Sequence, residues 1–587
     1  GRTTYGSTST RTRPQCVSKQ GDRKRGKNMK KDIETVIKEM LVSSIGQIAR
    51  ERGISLEGGP PVEVERGRRE GQGDWATNAA MQWASAFGER PLEMARRIVS
   101  LLPENPLVER VEVAGPGFIN FFLSRSWMTG TIEHILELAG DYGRSDSGRG
   151  RRVQVEFVSA NPTGPLHVGH GRGAAVGDIC ARILSFAGWD VEREYYINDA
   201  GLQMELLGRS TQSRYFEICG RPGEVLFPED GYKGGYIFDL ARQVLDSEGE
   251  RYLNIPPGES LPFFTRYASE VILEDIRKTL ENFGVKFDVW FSEKSLYDGV
   301  KIPKMLEALK KNGFAFDADG ATWFKATAFS DDKDRVLIRS NGVPTYFASD
   351  IAYHKNKYDR GFDMVIDVWG ADHHGYIPRM KAAVQALGRK EEDLQILLIQ
   401  FVNLHRGGQQ VSMSTRSGEF VTLEEVIDEV GVNATRYFFA MRRSDSHLDF
   451  DLDLAKSAST DNPVFYVQYA HARIHSIFRE AAARGVAMPK PSEVDLSLLV
   501  EPEETSLVKR LSAFPGEVEK AAADLAPHRI VFYAYDLAGD FHSFYNAHRV
   551  LGVGPELEGA RLVLSEATRV VLANALSLLG IGAPEKM

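Results

Sequence analysis

The sequence predicts an α/β protein: a parallel-sheet core with insertions, a small α+β domain before it and an all-α bundle after it. Three observations carry that prediction. The 587 residues are about three to four times the usual domain length, so several cores are expected. Strand-then-helix alternation begins near residue 153 and returns between residues 364 and 402, as parallel strands joined by crossovers require. Beyond about Leu454 strand signals vanish and helical periods take over.

Residues 1–28 hold eight Lys or Arg, one acid and almost nothing aliphatic, so they are expected to be a disordered basic tail, with Met29 a natural start. From Ile33 apolar residues recur at three- and four-residue steps (Val36, Ile37, Met40, Leu41, Ile45), which opens an amphipathic helix and a domain spanning 29–140. That domain contains the strand-like run VEVAGPGFINFFL (111–123), and a linker rich in Gly, Ser and Arg follows it over 141–152. The α/β domain is expected over 150–455. It starts with the strand VQVEFVSA (153–160), a Pro/Gly turn, and a helix marked by Ala174, Ile179, Ile183 and Leu184. A helix-rich stretch over about 203–297 interrupts the alternation and reads as an insertion. LLIQFVNL (397–404) reads as one further strand. Helical periods over 463–482, 506–525, 529–550 and 558–579 make 456–587 a bundle.

Composition narrows the function classes. Hydrophobic residues at 42% and charged residues at 26% suit a folded globular chain, and no run of about 18 apolar residues offers a membrane span. Three scattered cysteines exclude a disulfide framework and a thiolate zinc site, and fit a reducing cytoplasm. The net charge of −9 requires any polyanionic partner to be met by local basic patches.

The chemistry concentrates in two segments. The first, Glu156-Phe-Val-Ser-Ala-Asn161-Pro-Thr-Gly-Pro-Leu-His167-Val-Gly169-His170, follows a strand and opens a helix. Glycines there let backbone approach a phosphorylated ligand, and a helix N-terminus offers unpaired N–H groups to negative charge. His167 and His170, three apart, can donate together to a phosphate whose charge grows in the transition state. The alternative is a pair of capping or core histidines; a zinc site lacks a third ligand, and none is expected. The second segment, Gln410-Val-Ser412-Met413-Ser414-Thr415-Arg416, is polar and cationic and suits a loop closing over a triphosphate. Each alone could be a capped helix or a solvated loop. A third stretch places Tyr346 and Asp350 four apart, so on a helical turn they project together, either into a substrate pocket or into core and cap.

In this order the first two segments resemble the HIGH and KMSK signatures of class I aminoacyl-tRNA synthetases. Asp334–His354, GDWATNAA (73–80), YKGGYI (232–237), VWGADHHGYIPR (368–379) and LLGIGAPEKM (578–587) extend the resemblance to the arginyl-tRNA synthetase family, over nearly the whole chain from Met29. The resemblance implies a Rossmann-like catalytic domain, an N-terminal tRNA-binding module and an anticodon-binding bundle. It also implies ATP with Mg²⁺, L-arginine and tRNA(Arg) as ligands, a monomer with no membrane association, and tRNA-dependent activation. Residue by residue it assigns ATP contacts to His167, Gly169, His170, Gly370, Asp372 and Met413, with Ser414 and Arg416 on the leaving pyrophosphate. Glu156, Asn161, Tyr346 and Asp350 are assigned to arginine. A guanidinium has five donors and no acceptor, so carboxylates and a phenol suit it on chemical grounds as well. One departure stands out: Ser412 and Thr415 occupy the places of the two KMSK lysines, leaving Arg416 the nearest cation. Aromatic and basic residues interleaved in the bundle, such as Tyr466, Tyr469, Arg473 and Tyr545, suit base stacking and phosphate contacts or a core.

Overall fold

The computed structural model describes residues 33–67, 73–411 and 420–587. It divides into two compact units, Gly1–Trp127 and Met128–Met587. The basic tail and the Ser412–Arg416 segment lie outside the described residues.

In the first unit the helix Ile33–Arg52 buries Ile37, Leu41, Ile45 and Ile48, the stripe its spacing predicts. A four-stranded antiparallel sheet accompanies it: β1 (Glu65–Arg66), β2 (Trp75–Thr77), β3 (Val108–Ala114) and β4 (Phe118–Leu123), in the order β1-β2-β4-β3. The tight Gly115–Gly117 turn between β3 and β4 sits at φ +54 and +139, where side chains are strained.

The second unit is built on a five-stranded parallel sheet of β5 (Arg152–Glu156), β6 (Asp190–Ile197), β7 (Val289–Ser292), β11 (Met364–Gly370) and β12 (Leu394–Ile399). Its order is β12-β11-β5-β6-β7, so chain progression reverses between β5 and β11. Such a reversal opens a crevice at the carboxyl ends of the strands. Three further strands, β8 (Ala315–Ala318), β9 (Ala321–Phe324) and β10 (Arg335–Ile338), form an antiparallel sheet, and β13 (Val402–Arg406), β14 (Gln409–Gln410) and β15 (Leu448–Asp451) form another.

Three boundaries differ from the sequence reading. The helical excursion runs from Leu202 to Asn282 around its own core of Tyr215, Phe216, Val244 and Phe264. The 203–297 range also takes in β7, a parallel-sheet strand whose four half-buried residues carry too short a pattern to announce themselves. LLIQFVNL is two strands in different sheets, broken at Gln400, whose N–H turns to Ser444 O and whose carbonyl accepts from Arg172. The 506–525 period splits into Pro502–Ser512 and Phe514–Ala523, because Pro515 has no N–H to continue a helix. Beyond β15 the described residues are helical, with the long helices Pro463–Ala483, His528–Ala547 and Pro555–Leu578. Among the described residues no helix is long and apolar enough to cross a membrane.

Candidate active site

The crevice between β5 and β11 receives the first histidine segment. The chain leaves β5, turns, and enters the helix Val168–Phe186 with His167 as its N-cap. His167 Nδ1 accepts the Gly169 N–H at 3.1 Å, and His170 Nδ1 accepts the His167 N–H at 3.3 Å. The two rings stack with centroids 3.7 Å apart. Both are therefore caps, one of the alternatives the sequence left open, and the capping has a chemical consequence. With Nδ1 accepting, the neutral ring carries its proton on Nε2, which is left to donate. Burial pushes both imidazoles down, His170 to about 3, with the neighbouring ring adding to the shift. They are uncharged donors at neutral pH, suited to an oxyanion that develops late. Glycines are dictated here by space: a Cβ on Gly171 would meet Leu423 at 2.5 Å and one on Gly177 would meet Phe157 at 2.3 Å.

The second segment is tied to the first by backbone. Val168 N donates to Val421 O at 3.2 Å and Leu423 N to Leu166 O at 2.8 Å, a bridge that pairs His167 with Thr422. Thr422 then caps the helix Leu423–Val430 through a capping box with Glu425. On the other side Val411 N donates to Leu404 O at 2.8 Å. Met413, Ser414 and Arg416 lie between these anchors, outside the described residues.

An acidic cup adjoins. Asp350, on the helix Tyr346–Asp359, accepts the Tyr376 hydroxyl on Oδ2 at 2.6 Å. Tyr297 Oη donates to Glu293 Oε1 at 3.2 Å and lies 2.8 Å from Ser349 Oγ, on the residue before Asp350. Burial pushes both carboxyls up, and for Glu293 the charge of Asp350 adds to it. Neither has an ion-pair partner among the described residues. Two desolvated like charges with no cation in direct contact form a site for a buried cation to enter. Glu293, 4% exposed, was missed in the sequence; its signal was an acid directly after a strand end. Tyr346 is 74% exposed, and the phenol bonded to Asp350 is Tyr376.

Glu156 is not free in this cup. The register sets Asp367, Glu156 and Glu194 side by side across β11, β5 and β6. Three nitrogen-bearing side chains at three-residue steps meet them. His354 Nε2 lies 2.8 Å from Asp367 Oδ2, and Lys357 Nζ donates to Asp367 Oδ1 at 2.8 Å and Glu156 Oε2 at 2.5 Å. Arg360 grips both oxygens of Glu194, at 2.5 and 3.0 Å. The His354 ring sits between two oxygens, with Nδ1 also 2.8 Å from Asp350 O. Lys357 and His354 hold the Asp367 carboxyl far below the carboxylate range. This row fastens the helix that carries Asp350 across three strands. Its charges were visible in the sequence; that they meet depends on strand register.

Asn161 Nδ2 donates to Gln203 Oε1 at 2.6 Å at the mouth of the helical excursion, and Tyr236 Oη donates to Thr163 O at 2.7 Å. Asp372 follows Gly370 at the carboxyl end of β11, exposed, with His373 Nε2 3.6 Å from its Oδ2. Among the described residues no group of three His, Cys, Asp or Glu is placed to hold a metal. In the bundle Phe541, His542 and Phe544 are core, whereas Tyr466, Tyr469, Tyr535 and Tyr545 gather half-exposed with Arg473 over the rings of Tyr469 and Tyr545 at 4.6 and 4.7 Å.

A parallel sheet with a histidine-capped helix at its switch point, backbone-tied to a second loop, is the arrangement of a class I tRNA synthetase. Residues 131–446 match the family described as tRNA synthetases class I (R), catalytic domain. Residues 27–123 match the arginyl tRNA synthetase N-terminal domain and 467–587 the DALR anticodon binding domain. The arginine–tRNA ligase of Syntrophotalea carbinolica is 54% identical over 560 residues, covering 95% of this chain and all of that protein. The arginine–tRNA ligase of Bacillus subtilis is 48% identical over 567 residues, with the same coverage. The arginyl-tRNA synthetase structure from Thermus thermophilus superposes with a TM-score of 0.72 at 25% identity, over 94% of this chain and all of that one. The chain belongs to the arginine–tRNA ligase family.

Proposed function

We propose that this chain joins L-arginine to ATP as arginyl-adenylate at the β5/β11 crevice and passes the arginyl group to the 3′ end of tRNA(Arg), releasing AMP and pyrophosphate. The observation that carries the reading is the cup of Glu293 and Asp350, two carboxylates with no ion-pair partner among the described residues. Asp350 accepts the guanidinium fork, Glu293 balances its charge from the opposite wall, and the exposed Tyr346 ring covers it. Asn161 orients the main-chain groups of arginine. The arginine carboxylate attacks the α-phosphate in line, while the Nε2–H groups of His167 and His170 donate to the phosphate oxygens as charge grows. Gly169, Gly370 and Met413 line the nucleotide, and Asp372 takes the ribose hydroxyls. Arg416 and Ser414 meet the leaving pyrophosphate, with Mg²⁺ as the counter-ion of the phosphates. Glu156 serves the site from beneath, through Lys357, rather than as a guanidinium ligand.

The domains divide the work: 29–140 and 456–587 bind tRNA, and 150–455 is catalytic. The scattered cysteines fit a reducing cytoplasm, where we take the chain to act as a monomer. The test is charging of tRNA with arginine against lysine, citrulline and canavanine. Arginine and canavanine carry the forked cation and are expected to be used, with lysine and neutral citrulline rejected. Charging with lysine as readily as with arginine overturns the reading.

A further inference from the structure

Between β5 and the histidine-capped helix, Val158 and Ser159 sit consecutively at φ +67 and +41. Neither is glycine, and the left-handed region is unfavourable for both, most of all for a β-branched valine. Such backbone persists only where its surroundings over-determine it, and here the residues on both sides of Val158 are held. Phe157 is fully buried, its ring tilted against Phe287 with centroids 4.4 Å apart and seated against Gly177. Ser159 Oγ donates to Glu156 Oε1 at 2.9 Å and accepts the Tyr196 N–H at 3.1 Å. Ala160 O accepts the buried Tyr195 hydroxyl at 2.8 Å. The other oxygen of Glu156 is taken by Lys357, one helical face below Asp350. Asn161 comes next in the chain.

We propose that Val158 and Ser159 are positioning residues: their left-handed turn, latched through Glu156 to Lys357, sets the placement of Asn161 and with it the line along which the arginine carboxylate meets the α-phosphate. The inference rests on the adenylation reading above. A turn under strain cannot drift, because any relaxation carries the loop toward ordinary backbone and away from the attack geometry. The same latch links the guanidinium cup to the main-chain end of the substrate, since Lys357 and Asp350 share one helix.

The experiment is arginine-dependent ATP–pyrophosphate exchange with tRNA present, together with thermal melting, for wild type, Val158→Gly and Ser159→Ala. Glycine relieves the strain and alanine removes the latch while leaving the Lys357–Glu156 pair. Val158→Gly is expected to keep or raise the melting temperature while kcat falls about tenfold, because small misplacement of a reacting group costs rate steeply. Ser159→Ala is expected to lower kcat similarly. The arginine KM should stay within about twofold of wild type in both, the cup being untouched. A lower melting point for Val158→Gly overturns the strain, and wild-type kcat in both variants overturns the positioning role. Absence of exchange by the wild-type enzyme itself would instead overturn the adenylation reading.

Discussion

Removing one wall of the acidic cup gives the sharpest test of how arginine is held. In Asp350→Asn the side chain keeps its volume and its carbonyl oxygen can still accept the Tyr376 hydroxyl, so the fold should survive. What is lost is a carboxylate facing a guanidinium in a partly desolvated site. Truncating one partner of a buried hydrogen-bonded charge pair costs about 2–5 kcal/mol. At about 1.4 kcal/mol per decade that is roughly 30-fold to 3,000-fold in affinity. Glu293 remains in place with its charge and Asp350 is only half-buried, so the lower half of the range applies and about 100-fold is expected. The assay is the arginine KM in tRNA-dependent pyrophosphate exchange, with ATP affinity measured separately by equilibrium binding. The ATP value should be unchanged. Rejection of citrulline should relax, since a neutral ureido group then leaves fewer carboxylates unpaired. An unchanged arginine KM, or equal losses for arginine and ATP, refutes the assignment of the cup.

Tyr376→Phe removes one neutral hydrogen bond to Asp350 and should raise the arginine KM about fivefold, from roughly 1 kcal/mol; a change as large as that of Asp350→Asn would contradict this. Because burial raises the carboxyl pKa of both Glu293 and Asp350, part of the free cup is protonated just above the ordinary carboxylate range, and arginine must displace those protons. Folded-state pKa values above the unfolded ones mean that these groups favour the folded state at low pH and that this contribution fades as pH rises. Arginine binding should therefore release protons at mildly acidic pH and tighten toward neutrality; calorimetry in buffers of different ionisation enthalpy should show this release, and buffer-independent heats would exclude it. His170→Ala should slow adenylate formation about a hundredfold with little change in arginine KM. The neutral rings predict no acid limb from His170 between pH 5 and 8 in the wild-type profile. Lys357→Met leaves the carboxylates of Glu156 and Asp367 buried side by side, and should destabilise by about 3–5 kcal/mol in denaturant unfolding. Adding Glu156→Gln should recover part of that loss, and no recovery would argue against the charge row.

The fold class and the placement of the histidine turn were legible because they rest on local signals. The strand-turn-helix around His167 and the end of strand signals near Leu454 are patterns within a few residues, whereas the phenol on Asp350 comes from Tyr376 and not from Tyr346 four residues away. What escaped depends on the sheet. Glu156 looked like a substrate ligand because one strand cannot reveal that its neighbours place Asp367 and Glu194 beside it, or that Lys357 closes the set. Glu293 escaped for the complementary reason: it stands at the end of a four-residue strand whose membership of the main sheet is a long-range fact. The histidines were weighed as either caps or phosphate donors, and the geometry joins the two, since capping through Nδ1 is what leaves Nε2 protonated.

The reversal of strand order has a consequence for how the chain comes into being. β5 pairs with β11, Val153 opposite Met364, across more than two hundred intervening residues. A nascent chain can pair β5 with β6 early but must leave the other edge of β5 open until that distant segment has been synthesised, and such long-range pairings fold slowly. The excursion Leu202–Asn282, with its own cluster of Tyr215, Phe216, Val244 and Phe264, condenses locally in the meantime and shortens the span that remains to be closed. Half-made chains thus expose their sticky edge at the future nucleotide cleft, the stretch a chaperone has most reason to cover.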